Sequence, residues 1–87
     1  MNYMNEQRAR FVKQCGALLR ITKPNLIRCE LLLGNDVTQS LPHGTFIAPN
    51  EEYVIVTAKN NHHYAICVEA NSLHDIAWAI FDAMRFK

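Results

Sequence analysis

Residues 53–70 read YVIVTAKNNHHYAICVEA, and the fold turns on how this stretch is divided. Tyr53 to Lys59 and His62 to Ala70 are runs of strand length, rich in β-branched and aromatic side chains, on either side of Asn60-Asn61. Such runs favour extended structure, and paired asparagines tolerate the positive φ angles of a tight hairpin turn. A two-residue loop sets Thr57 opposite Tyr64, Ile55 opposite Ile66 and Tyr53 opposite Val68. One face then carries Tyr53, Ile55, Tyr64, Ile66 and Val68. The other carries Val54, Val56, Ala58, Ala65 and Cys67, apolar but small. With both faces apolar, either a helix covers each, or the smooth face of Val54, Val56, Ala65 and Cys67 meets another chain, as in a homodimer.

Upstream of the hairpin, Ile27, Cys29, Leu31 and Leu33 alternate as a strand should within residues 25–33. Pro24 in front and Gly34 behind also fit the start and stop of a short helix. A helix here would carry Arg28 and Glu30 into any apolar face, which favours the strand. A three-residue loop at Gly34-Asn35-Asp36 then folds the strand back, with Leu33 facing Val37 and Cys29 facing Leu41. Pro42-His43-Gly44 and Pro49-Asn50 are turns by composition, with a short strand at most over Thr45 to Ala48.

Helices are expected at both ends. Phe11, Val12, Cys15, Leu18 and Leu19 form one apolar stripe at helical period across residues 5–20. Gly16 lowers that helix's propensity by about 1 kcal/mol relative to alanine, and Lys23-Pro24 ends it. Ser72 caps the last helix, with Asp75 three residues on at the positive end of the helix dipole. Leu73, Ile76, Ala77, Ile80 and Met84 line its apolar face with Phe81 at the edge, and Arg85 and Lys87 complement the negative end. The sequence thus predicts a single α+β domain over residues 1–87. An antiparallel sheet of three to four strands is flanked by an N-terminal and a C-terminal helix, in the order α-β-β-β-β-α.

Composition agrees with one modest core: 87 residues, 49% hydrophobic and 20% charged. Cys15, Cys29 and Cys67 are odd in number, widely spaced and set in apolar runs, which predicts free thiols buried in a reducing compartment. Without a leader-like opening or a run of membrane-spanning length, the chain is expected to be soluble, cytoplasmic and complete from Met1. Net charge is +1 but unevenly placed. Residues 1–28 hold Arg8, Arg10, Lys13, Arg20, Lys23 and Arg28 against Glu6 alone, whereas residues 29–87 hold three basic and seven acidic side chains. That asymmetry fits either an anionic partner or a basic helix lying beside acidic neighbours in its own fold.

No motif for chemistry emerges. His62 and His63 are adjacent and so point to opposite faces of a strand, while His63 and Cys67 are roughly 13 Å apart along it, too far to share a metal. His43 and His74 lie elsewhere. Cys15 and Cys67 on apolar faces would be inert thiols. Ser72 is committed as a cap, Ser40 lacks a local signature, and Glu51-Glu52 is the pattern of a solvated charge pair. No glycine-rich phosphate loop is present. The sequence therefore predicts no catalytic residue, metal or cofactor, and a protein that works by binding.

Trp78 is the first candidate anchor. On a helical wheel it falls with His74, Asp82 and Arg85, opposite the apolar stripe, and tryptophan and arginine are enriched at interface hot spots. A flat packing of its ring across a neighbouring element is the structural alternative. The basic residues Arg8, Arg10, Lys13, Arg20 and Lys23 are the candidate for nucleic acid. Double-stranded RNA-binding domains share the order in outline but carry a lysine cluster at the start of their last helix. Here that place holds Ser72-Leu73-His74-Asp75, so no likeness is claimed. The first expectation is a non-enzymatic protein-binding module, an inhibitor, adaptor or regulator of the size common among phage and mobile-element proteins. A nucleic-acid-binding regulator and a non-catalytic enzyme subunit follow.

Overall fold

The computed structural model describes residues 6–59 and 62–85. Two helices, α1 (Glu6–Thr22) and α2 (Leu73–Ala83), pack on one antiparallel sheet of β1 (Leu26–Leu33), β2 (Glu52–Ala58) and β3 (His62–Cys67). Strand order is β1-β2-β3, so the α+β architecture stands with three strands among the described residues. The Asn60-Asn61 turn, Lys87 and residue 5 lie outside the described residues.

The centre of the sheet goes to the strand that gains most from burial. Tyr53, Val54, Ile55, Val56, Thr57 and Ala58 are all buried, as a strand covered on both faces requires. β1 pairs with β2, setting Cys29 against Val56 and Leu31 against Val54. Residues 37–41 therefore form no second strand, and the predicted facing of Cys29 with Leu41 does not occur. The half-polar run Val-Thr-Gln-Ser-Leu cannot serve both faces of a neighbour as β2 does. Instead Gly34–Asp36 makes one 3-10 turn, and the chain returns to β2 through Gly34 N donating to Glu51 O (2.8 Å) and Asn35 N to Pro49 O (3.0 Å). Between these closures residues 37–50 form an irregular strap. Its turns fall where composition places them, with Thr45 N bonded to Pro42 O across Gly44 (φ +89°) and Glu51 N to Ala48 O. No strand forms over 45–48.

The second hairpin is slipped by one residue from the expected register. Ala58 pairs with His62, Val56 with Tyr64, Val54 with Ile66 and Tyr53 with Cys67, so the connection spans residues 59–61 rather than two asparagines. A one-residue slip exchanges the faces of an entire strand. Ile66 thereby joins Val54 and Val56 beneath the helices, while Ala65 and Cys67 turn to the other side with Tyr53 and Ile55. The small-residue face expected for oligomerisation, Val54, Val56, Ala65 and Cys67, thus does not exist as one surface. Val54 and Val56 are fully buried in the core.

Both helices cover the same face. The core joins Val12, Cys15 and Leu19 of α1 and Ile76, Ile80 and Met84 of α2 to Leu26, Cys29, Leu31, Val54, Val56 and Val68. Gly16 permits a close approach of α1 to β1, since a Cβ there would stand 2.7 Å from that of Cys29. The opposite face is closed by the strap. The Tyr53 hydroxyl accepts from Ala48 N (2.8 Å), and Ser40, Leu41 and Pro42 line an open hollow of about 300 Å³ with His62, His63 and Tyr64. Thr57 Oγ1 and His63 Nδ1 are 2.9 Å apart on this side. Among the described residues, no helix is long and apolar enough to cross a membrane.

Candidate functional site

The two helices run side by side in the same direction, and two basic side chains fix that arrangement. Near the start of α1, Arg8 donates to the carbonyls of Val68 (3.0 Å) and Asn71, just before α2 begins, and pairs with Glu52 (2.8 Å). Beyond the end of α1, Lys23 Nζ donates to Arg85 O (3.2 Å), just after α2 ends. The helices therefore stand level, Arg8 beside Asn71 and Lys23 beside Arg85.

Their outer surface is unusually apolar. Leu18 is 63% exposed, Ile21 78%, Trp78 63% and Phe81 41%. α1 turns Gly16 and Arg20 toward β1, where Arg20 donates to the carbonyls of Leu26 (3.0 Å) and Ile27 (2.8 Å). At about 100° per residue, Leu18 lies about 160° round from both and so on the flank toward α2. On α2, running the same way, the right-handed turn puts Ala77 and Phe81 on the flank toward α1. Leu18 and Phe81 thus stand level on the facing flanks, with Ile21 and Trp78 on the crests beside them. The periodicity of α1 places Leu18 within the buried stripe. It sits instead at the stripe's margin, on the α2 side, and is 63% exposed.

Trp78 is held, not loose. Its Nε1 donates to His74 Nε2 (3.1 Å) one turn earlier, and the rings stand edge to face at 6.3 Å. That bond fixes His74 as the tautomer with its proton on Nδ1 when neutral, which faces Asp75 at 3.8 Å. Asp82 and Arg85 follow on the same surface, 3.6 Å apart. The four residues expected as a partner-binding group are therefore together and exposed. Ser72 caps α2 as expected, its hydroxyl accepting from Asp75 N (3.2 Å).

The basic residues do not form one free stripe. Arg8 is tied to Glu52, Val68 and Asn71 with its side chain only 17% exposed. Arg20 satisfies the carbonyls at a β-bulge between Leu26 and Arg28, where the ladder skips Ile27, and Lys23 holds the far end of α2. Arg10 and Lys13 are exposed and have no partner among the described residues. The acidic neighbours of its own fold account for Arg8 and for Arg28, which pairs with Glu30.

The thiols divide in a way that local sequence does not foretell. Cys15 and Cys29 are buried, and Cys67 is exposed, 3.6 Å from the Glu51 carboxylate. The register slip is the cause, because it moves Cys67 off the helix-covered face. Burial raises the Cys15 thiol and pushes Cys29 up to about 12; nearby Cys15 adds to the rise and Arg20 opposes it. Both buried thiols are packing residues held in their neutral form.

What this arrangement offers chemically is contact area. A rigid indole and three further apolar side chains lie at the centre of the helix layer, bordered by Arg10 and Lys13 on α1 and by Asp75 and Asp82 on α2. No protein-family model matches the chain, and no curated protein or solved structure matches it either.

Proposed function

We propose that the protein is a small non-enzymatic binding module of the cytoplasm, an inhibitor, adaptor or regulator that docks on another protein through the outer face of its helix pair. The observation that carries this reading is Trp78: a large aromatic, fixed by His74, mostly exposed, and adjoined by Leu18, Ile21 and Phe81. A pre-ordered tryptophan loses little entropy on docking, and hot spots are enriched in tryptophan and arginine. Arg85 and Asp82 at its side supply orienting polar groups. The test is capture of a partner from lysate of the source cell by wild type and by Trp78→Ala. Wild type should capture a defined partner, and Trp78→Ala should lose it, with affinity lower by at least about 2 kcal/mol, while the melting curve stays in place. Undiminished capture by Trp78→Ala would overturn the reading.

Nucleic-acid binding is the second reading, and it draws on Arg10 and Lys13. Two phosphate contacts support a shallow salt slope of about −2 on duplex DNA, against the steep slope of a dedicated binder. Duplex binding that is strong and falls far more steeply with salt would favour it.

A further inference from the structure

The docking face is electrically sided. Across the outer surface, the far flank of α1 carries Lys13, the seam is apolar and the far flank of α2 carries Asp75, 65% exposed; nearer the crests Arg10 lies one turn from the exposed Glu6, and Asp82 is paired with Arg85 (3.6 Å). Because Arg8 stands beside Asn71 and Lys23 beside Arg85, counting along the two helices brings Lys13 level with Asp75. A two-fold axis lying in this face and parallel to the helices exchanges the flanks and keeps the levels. It therefore sets Lys13 of one copy against Asp75 of the other, twice over. A perpendicular in-plane axis would set basic flank on basic flank.

The apolar parts also suit each other. Gln14, Ala17, Leu18 and Ile21 are all exposed and lie at i, i+3, i+4 and i+7, the four corners of a hole of the kind that receives a side-chain knob in helix packing. Ala17 leaves it shallow-walled. Trp78 falls level with this hole and is the largest knob on the facing helix.

We propose that the docking face takes a second copy of this chain, α1 of each protomer over α2 of the other, with Trp78 in the partner's α1 hole and paired Lys13–Asp75 contacts at the rim. This inference rests on the helix-pair face being a docking surface and names its occupant. The overlap of α1 on α2 of the other copy is limited by the shorter helix, 11 residues or about 16 Å, and across a layer about 20 Å wide gives a footprint of roughly 330 Å² per copy, which belongs with weak, transient contacts, so the test spans about 10 μM to 1 mM.

Sedimentation of the full chain across this concentration range tests it. Wild type should pass from monomer to dimer. Lys13→Glu alone and Asp75→Lys alone should each remain monomeric, at least roughly tenfold weaker, because like charges then face at both rim contacts. An equimolar mixture of the two variants should dimerise again. In the mixed pair the new carboxylate at position 13 of one chain faces the new ammonium at position 75 of the other, while the unaltered Lys13 and Asp75 meet as before. Trp78→Ala should be weaker than wild type with its circular dichroism unchanged. A wild type that stays monomeric throughout this range would overturn the inference, as would a mixture no better than its components. Should wild type be monomeric while Trp78→Ala still loses capture of another protein, the second copy falls as occupant and the docking face stands. Should Trp78→Ala dimerise and capture as wild type does, both fall.

Discussion

Gly34→Ala tests the strap, the least regular part of the fold. A Cβ at this position would lie 2.0 Å from the carbonyl oxygen of Ala48 and 2.9 Å from Ile47 Cγ2. The first contact is to backbone, so the strap must withdraw by about an ångström or more to reach ordinary contact distance. Two hydrogen bonds close the strap at this point, Gly34 N to Glu51 O and Asn35 N to Pro49 O. Losing both costs about 2 kcal/mol, and the residual crowding about 2 more. Against this, alanine restricts the unfolded chain and returns about 0.7 kcal/mol. The net is about 3 kcal/mol, a large part of the stability of a domain this size. Urea titration followed by circular dichroism should show it as a midpoint lower by roughly 2 to 3 M at unchanged slope. Gly44→Ala is the internal comparison. Nothing lies within 4 Å of a Cβ there, but its φ of +89° disfavours alanine, so about 1 kcal/mol is expected from the backbone alone. A Gly34→Ala protein within about 0.5 kcal/mol of wild type would refute the seating of Ala48 against this glycine.

Two further predictions concern polar groups in the interior. Arg8→Ala should destabilise by about 3 kcal/mol, because Glu52 and the carbonyls of Val68 and Asn71 lose their shared donor, and Arg8→Lys should recover little of it since one ammonium cannot reach all three. A stable Arg8→Ala variant in denaturant titration would return this arginine to the pool of free cations. For Cys29, the folded thiol is held at about 12 against 9.0 in the unfolded chain, so the unfolded state ionises first and stability is full below pH 9 and falls as pH rises toward 12. The loss attributable to this group is on the order of 1 kcal/mol at pH 10, read as the difference in pH dependence between wild type and Cys29→Ala in urea titrations at pH 7, 9 and 10. Equal pH dependence would mean that the thiol is not sequestered.

What the sequence disclosed, it disclosed through local periodicity and capping. The helices, the Ser72 cap, the strand character of residues 26–33 and both proline turns depend on neighbours in the chain, and each is where its residues indicate. Pairing depends on distant residues, and local pattern misplaces it twice for the same reason. Alternation says that a strand has two faces, not which partner it takes or in which register. The short-range choice, β1 with residues 37–41, loses to β2 because only a fully apolar strand is worth covering on both sides. The three-residue connection between β2 and β3 then exchanges Cys67 for Ile66 on the helix side. Even the alternation of β1 conceals a bulge: Leu26 is buried and Ile27 is 49% exposed, an outcome fixed by the Arg20 guanidinium on the freed carbonyls. For the docking face, Trp78 is legible because it sits on the polar side of its own helix. Leu18 and Phe81 are not, because their exposure depends on how far apart two helices stand over the sheet.

The core and the outer face of the helix pair are built from separate residues. On α2, Ile76 and Ile80 are fully buried and Met84 nearly so, while Trp78 and Phe81 lie on the outer turns between them. Among the described residues every buried side-chain nitrogen and oxygen has a hydrogen-bond partner, so the interior is complete without the outer residues. An exposed indole contributes little to folding, whereas an apolar surface costs solubility in a monomer. Folding alone would be served as well by a lysine or glutamate at position 78, and at 18 and 21 also. Four exposed apolar residues, Leu18, Ile21, Trp78 and Phe81, thus lie on the outer face of the helix pair without serving the core, which is the ground for the docking proposal. That is why the charge-reversal mixture is decisive: it leaves the core untouched, the lost charge at the start of α2 is the same for Asp75→Lys alone and in the mixture, and binding returns in the mixture solely if the occupant is another copy in the geometry described.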